Sequence, residues 1–360
     1  MKRTMSDGRR RLILISIFAV LLVSGYGFAT AQGRPARVRA LLTEEGQHVV
    51  FDRFTWQFRE LTKRIPPDQP WPAGEELQNA LSKEGLKDGA PEQAIPVPAE
   101  IERDVYLVGQ DHVSNLTYLI DCGQEGVAII DPTYESEFER TVANVEKCGY
   151  SRSQIKWVLN THCHIDHAMA DSKFRALGAQ ILVPEYDADA VEKGSRITAY
   201  YLIPGVTSFP KSKVDRRLSD GEELRLGNKL LHVIHTPGHT PGSASFLLQA
   251  GDRNLLFSGD TVLYDNRLGW QGNPYADNQR YLTSLKKLAS FHLTEPHFQW
   301  DVLLPGHGAI SMDKAYMDVQ KARDTVEADL AAGRDVESVP FATPAYRNLM
   351  YRRPAVKVSQ

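Results

Sequence analysis

Thr161-His162-Cys163-His164-Ile165-Asp166-His167 crowds three imidazoles and a carboxylate into a few residues, and its flanks say where in a fold it sits. Before it, Ile155-Lys156-Trp157-Val158-Leu159 is apolar and partly β-branched, which reads as a buried strand. After it, Ala168 to Leu177 is Ala-rich and reads as a helix closed by Gly178. The cluster therefore falls where a strand gives way to a helix, and strand-end loops are where α/β proteins carry their chemistry.

The spacing has a physical meaning. In an extended loop residues two apart point the same way, so His162 and His164 reach one point, and Asp166 and His167 face a second point beside it. Neutral imidazole and carboxylate are ligands for zinc, iron and manganese. One cation needs three or four ligands and two need more, so further His or Asp must arrive from elsewhere. Three candidates fit. His239 lies in the stiff turn His235-Thr236-Pro237-Gly238-His239-Thr240-Pro241-Gly242-Ser243. Asp260 follows the apolar run Asn254-Leu255-Leu256-Phe257, and His307 follows Asp301-Val302-Leu303-Leu304. Each ends an apolar run and has Gly or Pro beside it, which lets the backbone turn sharply next to a site.

The order His-x-His-x-Asp-His, then His, Asp and His resembles the metallo-β-lactamase-fold hydrolases over roughly residues 101 to 313. The resemblance implies an α/β protein with two face-to-face sheets between outer helices, an αββα four-layer sandwich. It implies one divalent cation on His162, His164 and His239, a second on Asp166, His167 and His307, and Asp260 bridging both, as in members similar to glyoxalase II. β-Lactamases of the superfamily usually carry Cys or Ser at the bridging position, which counts against a β-lactam substrate. The glutathione-binding helical region of glyoxalase II has no clear counterpart here. The resemblance also implies that Asp131, in Asp131-Pro132, supports a ligand imidazole from behind, a role that stands beside the plainer one of a turn former before proline.

The implied chemistry is hydrolysis by a hydroxide shared between two cations, probed best with zinc, while iron and manganese also suit these ligands. Asp166 stands as the catalytic carboxylate for proton transfer. No Gly-x-Ser-x-Gly nucleophile occurs. Three functions compete: hydrolysis of an ester, thioester or lactone, hydrolysis of a β-lactam, and metal-dependent binding without catalysis. His48, His112, His232, His235, His292 and His297 are read as packed or surface residues.

Elsewhere the chain is informative in patches. A length of 360 residues allows one large domain or two, and a net charge of −3 gives no global attraction to nucleic acid, while the family resemblance implies a small-molecule substrate as the partner. Residues 1–31 combine Arg9-Arg10-Arg11, an apolar run from Leu12 to Val23 and Ala29-Thr30-Ala31, the pattern of an export signal for a periplasmic or secreted protein. Uncleaved, the same segment is a membrane anchor, the one route to membrane contact. Three cysteines are too few for a disulfide framework, and alternation points Cys163 away from the cations.

Residues 32–100 form a proline-broken N-terminal extension with a short helix expected over Phe51 to Leu61; 101–335 form the catalytic domain and 336–360 a loose tail. Val105–Val108, Leu116–Ile120 and Val127–Ile130 read as strands, Ser136–Cys148 and Pro184–Gly194 as helices. Leu218 to Leu226 looks like strand–turn–strand, Asn278–Phe291 and Met312–Ala332 like helices. Substrate contacts are expected from the stretch after Asp260, with Tyr264, Trp270 and Asn273, and from Tyr200 in the loop after residue 197.

Overall fold

The computed structural model describes residues 35, 40–42, 46–51, 96–110, 115–203, 205–264, 268–293, 297–334 and 336. Within them the strands are β1 (Leu41–Leu42), β2 (His48–Phe51), β3 (Ala99–Glu102), β4 (Val105–Gln110), β5 (Leu116–Asp121), β6 (Val127–Ile130), β7 (Ile155–Leu159) and β8 (Gln180–Pro184). They continue with β9 (Arg216–Leu218), β10 (Glu223–Leu226), β11 (Lys229–His235), β12 (Ala244–Ala250), β13 (Arg253–Gly259), β14 (Val302–Pro305) and β15 (Ala309–Ser311). The α-helices are α1 (Phe138–Lys147), α2 (Ile165–Ala168), α3 (Asp171–Ala176), α4 (Glu185–Lys193), α5 (Asn278–Ala289) and α6 (Ala315–Ala331).

β3 to β9 form one sheet in chain order, antiparallel up to β6 and parallel from β6 to β9. The second sheet runs β1-β2-β15-β14-β13-β12-β11-β10, with β13 and β14 as its parallel pair. Period-two alternation along apolar strands explains how both faces of each sheet are covered. In β4, Val105 and Leu107 join the core between the sheets, whereas Tyr106 and Val108 join an outer core. In β13, Leu255 and Phe257 face inward and Leu256 outward.

Each outer core is closed by helices. Phe138, Val142 and Val145 of α1, Phe174 of α3 and Val191 of α4 cover the first sheet. Tyr281, Leu285 and Leu288 of α5 and Val319, Ala322 and Val326 of α6 cover the second. Three apolar layers between four layers of secondary structure make the expected αββα sandwich. Burying one such Leu, Val or Phe is worth about 1.5–3 kcal/mol, so the two-faced packing dominates the stability.

The local outcome differs from the sequence reading in two places. The helix expected from Ala168 to Leu177 is split into α2 and α3, and α2 starts inside the histidine motif, so Asp166 and His167 occupy a first helical turn rather than an extended loop. Leu218 to Leu226 does hold two strands about a turn, but β9 and β10 belong to different sheets, so the segment is the passage from one sheet to the other. Expectations for residues 1–31, for a helix over Phe51–Leu61 beyond its first residue and for the tail past 336 lie outside the described residues. Residues 41–51 add β1 and β2 to the second sheet, where β2 pairs antiparallel with β15. Among the described residues no helix is long and apolar enough to cross a membrane.

The topology gathers strand ends. β6 and β7 run parallel, as do β13 and β14, and β11 runs with β13 because both are antiparallel to β12. The two sheets are tied together there: Ala244 N–H donates to Thr161 O at 2.8 Å and Leu116 N–H to Gly306 O at 2.8 Å.

Candidate metal centre

All seven residues singled out by sequence come together at these strand ends. His162, His164 and His239 form one group and Asp166, His167 and His307 another, with the ligand atoms of each within 4.8 Å of one another; His162, His167 and Asp260 form a third that links them. Asp260 stands between the two triads. One of its oxygens, Oδ2, is 3.4 Å from His239 Nε2 and 3.4 Å from His307 Nε2, and the other, Oδ1, is 3.5 Å from His167 Nε2. His307 Nε2 lies 3.5 Å from Asp166 Oδ2 and 3.3 Å from His167 Nε2.

Hydrogen bonds behind the imidazoles set which nitrogen faces inward. Asp131, in a left-handed conformation (φ 51°) after β6, accepts from Thr161 N–H at 2.8 Å, Thr161 Oγ1 at 2.7 Å and His167 Nδ1 at 3.0 Å. A carboxylate only accepts, so His167 donates from Nδ1 and turns Nε2 toward the other residues of the centre. Thr161 spends its hydroxyl hydrogen on Asp131, so His162 Nδ1, 3.1 Å away, donates to Thr161 and likewise turns a bare Nε2 inward. His239 Nδ1 donates to Trp270 O at 3.1 Å. Asp131 is thus built into the centre through His167 and, by way of Thr161, His162, beyond a turn-forming role.

The electrostatics divide the centre. Burial holds His162 and His164 well below the usual imidazole range and lowers His239 too. Burial also pulls on His167, but the carboxylates of Asp131, Asp260 and Asp166 outweigh it and push it up to about 10. His307 is raised by Asp260 and Asp166 against the same burial. Asp260 is held well below the carboxylate range by His307 and His167 in spite of its burial.

Whether these residues fit a cation is tested by their free atoms. His162 Nε2, His164 Nε2, His239 Nε2 and Asp260 Oδ1 are buried and have no hydrogen-bond partner among the described residues. An unsatisfied buried polar atom costs about 1–3 kcal/mol, so four converging lone pairs call for positive charge, and their nitrogen and oxygen chemistry suits zinc, iron or manganese. Gly306 permits the close packing, since a Cβ there would lie 2.5 Å from Asp260 Oδ1 and 2.7 Å from His167 Cε1.

The other sequence candidates spread out. Trp270 is half-buried and meets the centre through its carbonyl, while Asn273 Nδ2 donates to His239 O and Trp270 O, both at 3.1 Å, so its amide is spent on holding the loop. Tyr264 is buried against Val49 and Ala309, and Tyr200 packs on the outer core of the first sheet. Cys163 is buried in that outer core, as alternation required. His235 is no part of the groups; its Nε2 donates to Leu218 O at 3.0 Å.

Sequence reading passed over Asn115, whose Nδ2 donates to Asp166 O at 2.9 Å. It also passed over Tyr281, whose hydroxyl donates to Thr261 O at 2.7 Å and accepts from Gly269 N–H at 3.2 Å, bracing the Asp260 loop from α5. Tyr281 was legible only as an apolar position of that helix.

Comparison with known proteins agrees with this geometry. The family model described as "Metallo-beta-lactamase superfamily" matches residues 111–307, more than half of the chain. A protein of Methanocaldococcus jannaschii named as a probable metallo-hydrolase is 30% identical over 211 residues, 58% of this chain and 95% of that one. The hydroxyacylglutathione hydrolase of Rhodospirillum rubrum is 26% identical over 239 residues, 63% of this chain and 82% of that one. The solved structure of the MIM-2 metallo-β-lactamase matches with a TM-score of 0.53 at 25% identity, over 66% of this chain and 89% of that one. Ligand set, sandwich and family match coincide: this chain belongs to the metallo-beta-lactamase superfamily and is one of its metallo-hydrolases.

Proposed function

We propose that the chain is a hydrolase with a dinuclear metal centre acting on an ester, thioester or lactone. His162, His164 and His239 hold one cation, Asp166, His167 and His307 the other, and Asp260 serves both. The observation that carries this reading is the position of Asp260, one carboxylate within 3.5 Å of ligand nitrogens of both triads. Zinc suits the ligands best, with iron or manganese as further fits.

Bound divalent cations supply Lewis acidity and lower the pKa of water from about 15.7 to ~7. The residues do the rest. Asp131 and Thr161 fix the inward-facing Nε2 of His167 and His162, and the Trp270 carbonyl fixes that of His239. Asp166 has a side chain 25% exposed where His167 is 1% exposed. It is the carboxylate of the centre that both solvent and a substrate can reach, and it accepts the proton of the attacking water and returns it to the leaving group. Residues 1–31 act as an export signal, so the reaction takes place in the periplasm or outside the cell; N-terminal sequencing of the mature protein beginning near residue 32 is the expected result.

Hydrolysis of a β-lactam is the second reading, favoured by the likeness to the MIM-2 structure. The zinc-loaded chain is assayed against nitrocefin, a lactone panel and S-lactoylglutathione. Turnover of a lactone or the thioester is expected; turnover of nitrocefin alone selects the second reading. Turnover of none of these, nor of phosphodiesters, with two cations bound leaves a metal-dependent binding protein and overturns both.

A further inference from the structure

Asp187 lies in α4, outside the histidine motif, and is fully buried. Its two oxygens accept three hydrogen bonds from two separate loops. Oδ2 accepts from Cys163 N–H at 2.9 Å and from Thr240 Oγ1 at 2.7 Å, and Oδ1 accepts from Gly242 N–H at 2.8 Å. Cys163 sits between His162 and His164, and Thr240 and Gly242 follow His239. The one carboxylate therefore ties together the two loops whose imidazoles make up the first triad, and it touches none of the three. The contact is close by construction. A Cβ on Gly242 would lie 2.4 Å from Asp187 N and 2.6 Å from its Oδ1. The turn is braced on its own side as well, by Thr240 N–H donating to Ser243 Oγ at 3.0 Å.

We infer that Asp187 is a positioning residue that sets the separation of the His162–His164 loop and the His239 turn, and so the fit of the first triad to its cation. This rests on the metal-centre reading of that triad. The chemistry requires a carboxylate rather than an amide. Donors approach both oxygens, and Asn at this position would set its own N–H₂ against the Gly242 N–H or against the Cys163 N–H and Thr240 hydroxyl. Residues that orient ligands in this indirect way typically change metal affinity by about 10–100-fold when removed.

The test uses the full chain loaded with zinc, and with cobalt(II) as a spectroscopic probe. Asp187→Asn is compared with wild type by chelator competition, by elemental analysis and by the visible cobalt spectrum. Thr240→Val removes the bond to Asp187 together with the one between the Thr240 and Ser243 hydroxyls, leaves the other two bonds to Asp187 in place, and serves if Asp187→Asn does not fold. Asp189→Asn, on the exposed side of the same helix, is the control. The expected result is one cation of the two bound at least about tenfold more weakly with a changed cobalt spectrum, a smaller shift in Thr240→Val and none in Asp189→Asn. Unchanged zinc affinities and an unchanged cobalt spectrum in both Asp187→Asn and Thr240→Val, even with a lowered Tm, overturn the inference. A wild-type chain that binds neither zinc nor cobalt sinks the metal-centre reading itself, which separates the two failures.

Discussion

The triads of the centre share a residue type and differ in their surroundings. His162, His164 and His239 are buried against one another, with Asp260 the carboxylate nearest them, 3.4 Å from His239 Nε2. His167 and His307 sit among three carboxylates, with Asp131 at 3.0 Å from His167 Nδ1, and Asp166 and Asp260 at 3.5 and 3.4 Å from His307 Nε2. Burial, helped by the neighbouring imidazoles, disfavours protons on the first triad, whereas the carboxylates of the second favour them. Without cations, the imidazoles of the second triad therefore hold protons more readily than those of the first. Burial is thus common to the imidazoles of both groups, and the accumulated negative charge around His167 and His307 is what sets them apart.

Asp260 is where the contrast is easiest to break, because it belongs to both sides. Asp260→Ala is expected to lower kcat/KM by on the order of a hundredfold or more and to reduce metal content below two per chain, measured by steady-state kinetics and elemental analysis. Full metal content at full rate would mean that the two triads work without a shared ligand.

A pH series on metal-free protein sharpens the comparison. The folded pKa values of His162 and His164 lie below the unfolded value of 6.5, so their contribution is present above that pH and is lost as pH falls below it. His167 is raised to about 10, so its contribution is present below 6.5 and is lost as pH rises toward 10. The Tm of the chelated chain should therefore peak near neutral pH and fall on both sides. Asp131→Asn should flatten the alkaline side and leave the acidic side in place. A Tm that climbs steadily from pH 6.5 to 10 would contradict the proton-holding character of the second triad. The smallest effect is expected from His235→Gln. It loses one hydrogen bond to Leu218 O, costs about 1 kcal/mol, and leaves metal content unchanged; a lost cation would bring His235 into the centre.

Most of the fold and the inner ring of the centre could be read from residues because their signals are local. A polar ligand after an apolar run, with Gly or Pro alongside, marks a strand end wherever it occurs, as at His239, Asp260 and His307. What escaped depends on partners distant in sequence. Leu218 to Leu226 has the pattern of a hairpin, and only the docking of two sheets decides that β9 and β10 never pair. Ile165 to Ala168 is too short for helical periodicity to register. Asp187 left a faint trace, an acidic residue on the same side of its helix as Val191, but the loops that use it lie 24 and 53 residues away. Tyr264 and Asn273 follow Asp260 in the chain and are spent on packing and loop support, because nearness in sequence does not fix which way a side chain turns.

β2 lies alongside β15, and β15 begins two residues after His307. A chain cut back to residues 101–335 would lose that neighbour and bare a row of unpaired backbone amides and carbonyls close to His307. Such a row invites a strand from another molecule. β2, far in sequence from the seven clustered side chains, thereby covers an edge that would otherwise lie open beside them.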